Sequence, residues 1–438
     1  MTRETTSDCP AAARPLTRRD FVRLASGVAA APVLVPRRAS AQARARTLKL
    51  GYVSPQTGPL AGFGEADNFV IGGIRKALGK GLAIRDRTYP IDIVVRDSQS
   101  DPNRAAEVAS RLILGDKVDL MLVASTPETT NPVSDQCEVN GTPAISSVCP
   151  WQPWFFARGG KPETGFKWTY HFFWGLEDII AVFVEMWNSV ETNKVVGALW
   201  PNDGDGNAWS DPQRGFPPAL ASAGYKVVDP GRFPNRTDDF SAQISAFKSA
   251  NADIVTGVPL PPDFTTFWKQ AAQQGFRPKV ATVGKALLFP RSVEALGELG
   301  DGLSTEVWWT PRHPFTSSLT NASAAALAAD YTKETRKQWT QPLGFIHALF
   351  EVAVDVLKRT ASVDDKSAIA AAIKSTNLKT IVGPVAWGQG PVPNVSKTPL
   401  VGGQWVRGKD GRFDITITNN KTAPAIPTGG KLRPLRRA

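Results

Sequence analysis

The sequence predicts an α/β protein built as two doubly wound parallel-sheet lobes. Three observations predict it. From Leu48 onward short β-branched runs alternate with amphipathic helical patterns, a tryptophan-rich passage from Trp151 to Trp174 interrupts them, and the alternation then restarts. Each strand-plus-helix cycle reads as one unit of a parallel sheet. A chain of 438 residues has room for two such lobes with separate cores.

The chain opens on an expected export signal. TRRDFVRL runs from Thr17, with Arg18 and Arg19 paired and Phe21 behind them. A weakly apolar stretch from Leu24 to Val35 follows, and small residues at Ala39, Ser40, Ala41 and Ala43 offer cleavage after Ala41 or Ala43. The apolar stretch is too short and too rich in Ala and Gly to anchor in a bilayer. Residues 1–43 therefore read as a twin-arginine signal peptide, and the mature protein as a soluble periplasmic one without a direct membrane anchor. Seven arginines leave with the signal against three acids, so the net charge of +11 shrinks by four. The remaining body is mildly basic, which argues against nucleic acid as a partner. Cys9 leaves too; Cys137 and Cys149 stay, either as a disulfide or as two buried thiols.

Leu48 to Ser54 is the first expected strand, and Val70, Ile74, Ala77 and Leu78 give the next helix its apolar face. Ile91 to Val95 is a strand, and its helix opens on the Asp101 cap with Pro102 at the first helical position. Strand Leu120 to Ala124, helix Thr129 to Glu138 and a strand at Ala144 to Ser146 bring the first lobe near completion. After the tryptophan-rich passage come helix Leu176 to Ser189 and strand Lys194 to Trp200. Helix Phe216 to Ala223, strand Lys226 to Val228, helix Asp239 to Ala250, strand Ile254 to Gly257, helix Asp263 to Gln274 and strand Lys279 to Val283 complete the second series. Two long helices, Ala322 to Gln338 and Leu343 to Arg359, follow. The expected division is 44–174 plus 311–385 for one lobe and 175–310 plus 386–418 for the other, with 419–438 a disordered basic tail.

In this order, KLGYVSPQTGPLAGFG from Lys49, RDSQSDPNRA from Arg96, TTNPVSD from Thr129, DFSAQISAFK from Asp239 and IVGPVAW from Ile381 carry a resemblance over nearly the whole mature chain. The chain resembles the branched-chain amino acid (leucine/isoleucine/valine-binding) type of periplasmic substrate-binding protein, the receptor subunit of an ATP-driven importer. The resemblance implies a type I periplasmic binding protein fold, with the lobes joined by three crossing strands near Trp168 to Trp174, Thr305 to Thr310 and Pro384 to Trp387. It further implies a ligand cleft that closes by hinge motion, membrane permease subunits as partners, a small-molecule ligand and no cofactor.

In open parallel sheets ligands sit beyond the carboxyl ends of the strands. The loops expected there contain Phe63, Ser125, Thr126, Thr129, Cys149, Trp151, Asn207, Trp209, Pro259 and Lys285. By resemblance Phe63 is an aromatic wall, and Ser125, Thr126 and Thr129 lie in the loop that holds a carboxylate; capping of the following helix is the other reading of Ser125 and Thr129. Amino-acid binders of this type place an acid where Lys285 stands and a tyrosine where Pro259 and Leu260 stand. An unpaired ammonium in a closed cleft costs several kcal/mol, so an α-amino acid is disfavoured and an anionic, aromatic or bulky carboxylate preferred. Lys285 then faces that anion, unless it is a solvated surface lysine. Trp151, Trp154, Trp174, Trp209, Trp308 and Trp309 either crowd the cleft or pack the core and hinge.

Branched-chain amino acid or amide binding is one alternative, and a ligand sensor for a membrane receptor another. The run Asp203 to Asn207 begins like a calcium loop, but Ala208 and Arg214 stand where glycine and glutamate are required, so no metal is expected. His171, His313 and His347 lie apart without a serine elbow or paired metal spacing, so a secreted hydrolase is a distant reading. His347, on a helical pattern, is expected to be a hydrogen-bonded structural residue.

Overall fold

The computed structural model describes residues 45–436. The expected signal peptide, its arginine pair and its cleavage site lie outside the described residues. The strands in chain order are β1 (Leu48–Ser54), β2 (Leu82–Ile84), β3 (Arg87–Tyr89), β4 (Ile91–Asp97), β5 (Leu120–Ala124), β6 (Ala144–Ser147), β7 (Thr169–Phe172), β8 (Val195–Leu199), β9 (Lys226–Val228), β10 (Ile254–Gly257), β11 (Val280–Val283), β12 (Ser304–Val307), β13 (Asn377–Thr380), β14 (Gly383–Ala386), β15 (Val395–Ser396), β16 (Val401–Arg407) and β17 (Phe413–Asn419). The helices used below are α1 (Asp67–Leu78), α2 (Pro102–Ser110), α3 (Pro127–Val139), α4 (Trp151–Phe155), α5 (Leu176–Asn188) and α6 (Gly204–Trp209).

Two sheets form, each buried on both faces by helices. The first has the order β15-β7-β6-β5-β1-β4 with every pair parallel. The second has the order β17-β16-β12-β11-β10-β8-β9; its β12 to β9 part is parallel, and β16 and β17 add an antiparallel ribbon at one edge. The uncharged central strands β5 (LMLVA) and β10 (IVTG) are wholly buried because helices cover both sides. Asp101 caps α2 by accepting from the Arg104 N–H, as the Asp-Pro pair predicts.

Three passages join the sheets, at 173–175 between β7 and α5, at 308–310 after β12, and at 397–400 between β15 and β16. The third departs from expectation. Pro384 to Ala386 lies on a β13–β14 hairpin and Trp387 opens the turn after it, while Val395 and Ser396 pair with His171 and Phe172 in the first sheet, so the chain returns to the second sheet only after Ser396. Lys397, on that passage, binds Glu177 and Asp178 at 2.7 Å each and so ties it to the start of α5.

The tail is also not a disordered one. Ile426 and Leu432 are buried, the Leu435 N–H donates to Lys279 O at 2.8 Å, and Gln404 exchanges hydrogen bonds with the Arg433 backbone. Basic composition hid a few apolar anchors that seal the second sheet. Cys137 and Cys149 are both free and buried, and His347 shares a 2.8 Å hydrogen bond with Ser317 Oγ as a structural residue. Among the described residues no helix is long and apolar enough to cross a membrane.

Candidate functional site

The first five parallel strands of each sheet run in the order 2-1-3-4-5, so each sheet has one switch point, where the connections from two neighbouring strands leave in opposite directions. In the first sheet this lies between β1 and β5, and the loops leaving it carry Phe63 and Thr126. In the second it lies between β8 and β10, and the loops leaving it carry Asp205, Trp209 and Val258. These five line one cavity, which Val148, Cys149, Pro150, Phe173, Trp174, Lys285, Leu288, Glu306 and Trp308 complete. The void is narrow, about 30 Å³, room for about two waters at roughly 10–15 Å³ each. Any larger solute requires the lobes to part.

The polar lining falls into two groups. On the first lobe, Ser125 and Thr126 have φ of 63° and 49°, the left-handed region in which a β-branched threonine is strained. Their amides donate to Ser147 O and Val148 O, while neither hydroxyl has a partner among the described residues. They stand before the N-terminus of α3, whose dipole favours negative charge.

On the second lobe, Asp203 caps α6 by accepting from the Gly206 N–H, and Lys285 Nζ bridges Asp203 at 3.1 Å and Asp205 at 2.8 Å. Glu306 accepts the Lys285 N–H at 3.2 Å. A side chain at Gly284 would collide with Trp209 and crowd Glu306, so glycine permits this close packing. Burial pushes Asp205 up to about 7, against the pull of Lys285, with Glu128 and Asp203 adding repulsion. Burial likewise pushes Glu306 up to about 7, against hydrogen bonds from Thr305 and the backbone. Burial lowers the Lys285 ammonium, but the two aspartates outweigh it and hold the proton well above the usual lysine range. Asp205 Oδ1 remains without a hydrogen-bond partner among the described residues. This group is acidic in surplus: Asp203 and Asp205 share the one ammonium, and Glu306 is held only by the Lys285 backbone N–H and the Thr305 hydroxyl.

The lobes touch beside the cavity. Gly204 N–H donates to Glu128 Oε1 at 3.2 Å, and the Arg214 guanidinium lies 4.4 Å from the Phe156 ring centre.

Residues 47–397 match the periplasmic binding protein family. The chain belongs to that family. No curated protein sequence matches it at a significant level. Among solved structures the binding protein is similar to the leucine-binding protein LivK of Thermotoga maritima, with TM-score 0.66, 21% identity and coverage of 86% of this chain and 99% of that one. It is similar to a solute-binding protein of an ABC transporter from Rhodopseudomonas palustris BisB5, solved with 3,4-dihydroxybenzoic acid, with TM-score 0.69, 18% identity and coverage of 87% and 99%. It is also similar to LivJ of Streptococcus pneumoniae, solved with isoleucine, with TM-score 0.67, 15% identity and coverage of 85% and 99%. The architecture is thus that of type I periplasmic binding proteins, with two doubly wound lobes joined by three crossings.

Of the residues expected at the cleft of this binding protein, Phe63, Thr126, Cys149, Trp209 and Lys285 line the cavity, and Ser125 adjoins it. Four do not. Thr129 Oγ1 is spent on Ser98 Oγ at 3.1 Å. The Trp151 indole donates to Glu177 at 3.1 Å, at the hinge, where Glu177 also takes a hydrogen bond from Gln152. Asn207 is exposed on the far side of α6. Pro259 is buried beside the lining Val258 but not part of the wall. Trp154 stacks on His171 and donates to Ser134, and Trp309 donates to Ile381 O, so both are core.

The role expected of Lys285 changes most. It faces the cavity, but its charge is committed to Asp203 and Asp205 and cannot serve as a free anchor for an anion. Sequence reasoning missed Asp205 and Glu306. Asp205 was visible only as part of a failed calcium loop, and Glu306 as a lone charge inside the otherwise uncharged strand STEV.

Proposed function

We propose that this protein is the solute receptor of an ATP-driven importer, and that its ligand is an α-amino acid with a bulky, flat side chain. The carrying observation is an Asp205 oxygen without a partner among the described residues, in a cavity lined by Thr126 and adjoined by Ser125, whose hydroxyls likewise have none. Carboxylate against the hydroxyls and the α3 N-terminus, ammonium against Asp205 and Glu306, and side chain among Phe63, Phe173 and Leu288 would satisfy each wall. The objection that no acid stands at position 285 loses its force, because Asp205 and Glu306 supply the carboxylates from other elements. A second reading, an aromatic carboxylate without an ammonium, is favoured by the donors in the wall and by the R. palustris relative.

The direction of pH dependence separates the two. An ammonium needs Asp205 and Glu306 ionised, and both titrate near 7. Amino-acid affinity should therefore fall as pH drops from 8 to 6, by up to about tenfold per unit for each carboxylate that must give up its proton. A plain carboxylate should instead bind better at pH 6. Titration calorimetry with L-phenylalanine, L-leucine and benzoate at both pH values decides between them; affinity for none of them sinks the ligand proposal.

Two further outcomes test the receptor role. Saturating ligand should reduce the radius of gyration in small-angle scattering relative to the ligand-free protein, and an unchanged curve with a tight ligand rules out hinge closure. Replacing Arg18 and Arg19 together by lysine should leave unprocessed precursor in the cytoplasm, because the arginine pair is a receptor-read address. Normal processing of that variant refutes export by this route.

A further inference from the structure

Three indole rings line the cavity from three separate elements. Trp174 lies on the first crossing passage, Trp209 at the end of α6, and Trp308 on the second crossing passage. All three are buried, and none of their ring N–H groups has a hydrogen-bond partner among the described residues. An indole N–H can only donate. A buried donor without an acceptor is costly, and native proteins hold few of them, so three around one cavity form a site for an acceptor that the described residues do not supply. Trp151, Trp154, Trp187, Trp268, Trp309, Trp387 and Trp405 each find an acceptor inside the protein, so the deficit is concentrated at the cavity. Trp200 also lacks a partner but lies behind Trp209 in the core, 6.2 Å ring to ring.

We infer that the ligand carries an oxygen acceptor on its flat side chain, seated against the Trp174, Trp209 and Trp308 N–H groups, so that the receptor selects an oxygenated aromatic amino acid over its hydrocarbon counterpart. The inference rests on the amino-acid reading above and names its side-chain class. The carboxylate end has its own donors at Ser125 and Thr126, so the indoles are left for the body of the ligand. The apolar remainder of the wall, Phe63, Val148 and Leu288, holds the ring faces.

The test is calorimetry of the full exported chain with L-tyrosine and L-phenylalanine, on the wild type and on Trp174→Phe and Trp308→Phe, which keep a ring and remove the donor. Wild type should bind tyrosine at least about tenfold more tightly than phenylalanine, the scale of a hydrogen bond to an otherwise unsatisfied buried group. Each variant should lose most of that preference, with tyrosine weakened several-fold more than phenylalanine. The wild-type comparison alone decides the matter if a variant does not fold. Equal wild-type affinity for the two ligands overturns the inference and leaves the amino-acid reading standing. Equal weakening of both ligands by the variants shows that the indoles hold the carboxylate, which also overturns it. Binding of neither ligand removes the amino-acid reading and the inference together.

Discussion

Replacing Lys285 by methionine should destabilise the protein by about 3–5 kcal/mol, the usual cost of leaving a buried charge without its partner. The lysine is 4% exposed and bridges two aspartates that are themselves about as buried, so its removal leaves adjacent carboxylates facing each other in a dry site. Combining Lys285→Met with Asp205→Asn should recover much of the loss, since one of the two stranded charges goes with it. Urea unfolding of the single and double variants provides the measurement. A single variant within about 1 kcal/mol of wild type would mean that the bridge is open to water, and the committed-charge account of Lys285 would have to be dropped.

Asp205→Asn should abolish most amino-acid binding. Truncating one side of a desolvated charge pair costs about 2–5 kcal/mol, or roughly thirtyfold to several thousandfold in Kd. The effect should be specific to the ammonium. An amino acid should lose this much, while its deaminated analogue, which repels the acidic group in the wild type, should gain or stay level. Calorimetry with phenylalanine and 3-phenylpropionate on both proteins reads the difference directly. If both ligands weaken alike, Asp205 serves the shape of α6 rather than the ligand.

Much of the framework is legible in sequence because its signals are local. β1, β5, β9 and β10 fall within the expected boundaries since short β-branched runs between Gly, Pro and Asp have few other outcomes. The site loops follow from the same rule, as ligands sit beyond the strand ends at switch points. The failures concern side chains whose fate is set by partners distant in sequence. Lys285 meets aspartates some 80 positions away, and Trp151 turns to Glu177 instead of the cleft. Glu306 shows only as a charge in a buried strand until the fold brings Lys285 beside it. The short helix α4 and the anchored tail also escaped, because each is too short to carry a sustained periodicity; the β16–β17 ribbon went unread although Phe413, Ile415 and Ile417 alternate with Asp414 and Thr416 along β17.

The left-handed pair Ser125–Thr126 sets stability against use. A threonine held at φ 49° costs of order 1–3 kcal/mol that the rest of the fold must offset. Glycine at 126 would accept that geometry freely, although it would also enlarge the freedom of the unfolded chain. It would remove the hydroxyl as well. Selection for durability alone would favour glycine there, at the cost of the hydroxyl that the proposed ligand would meet.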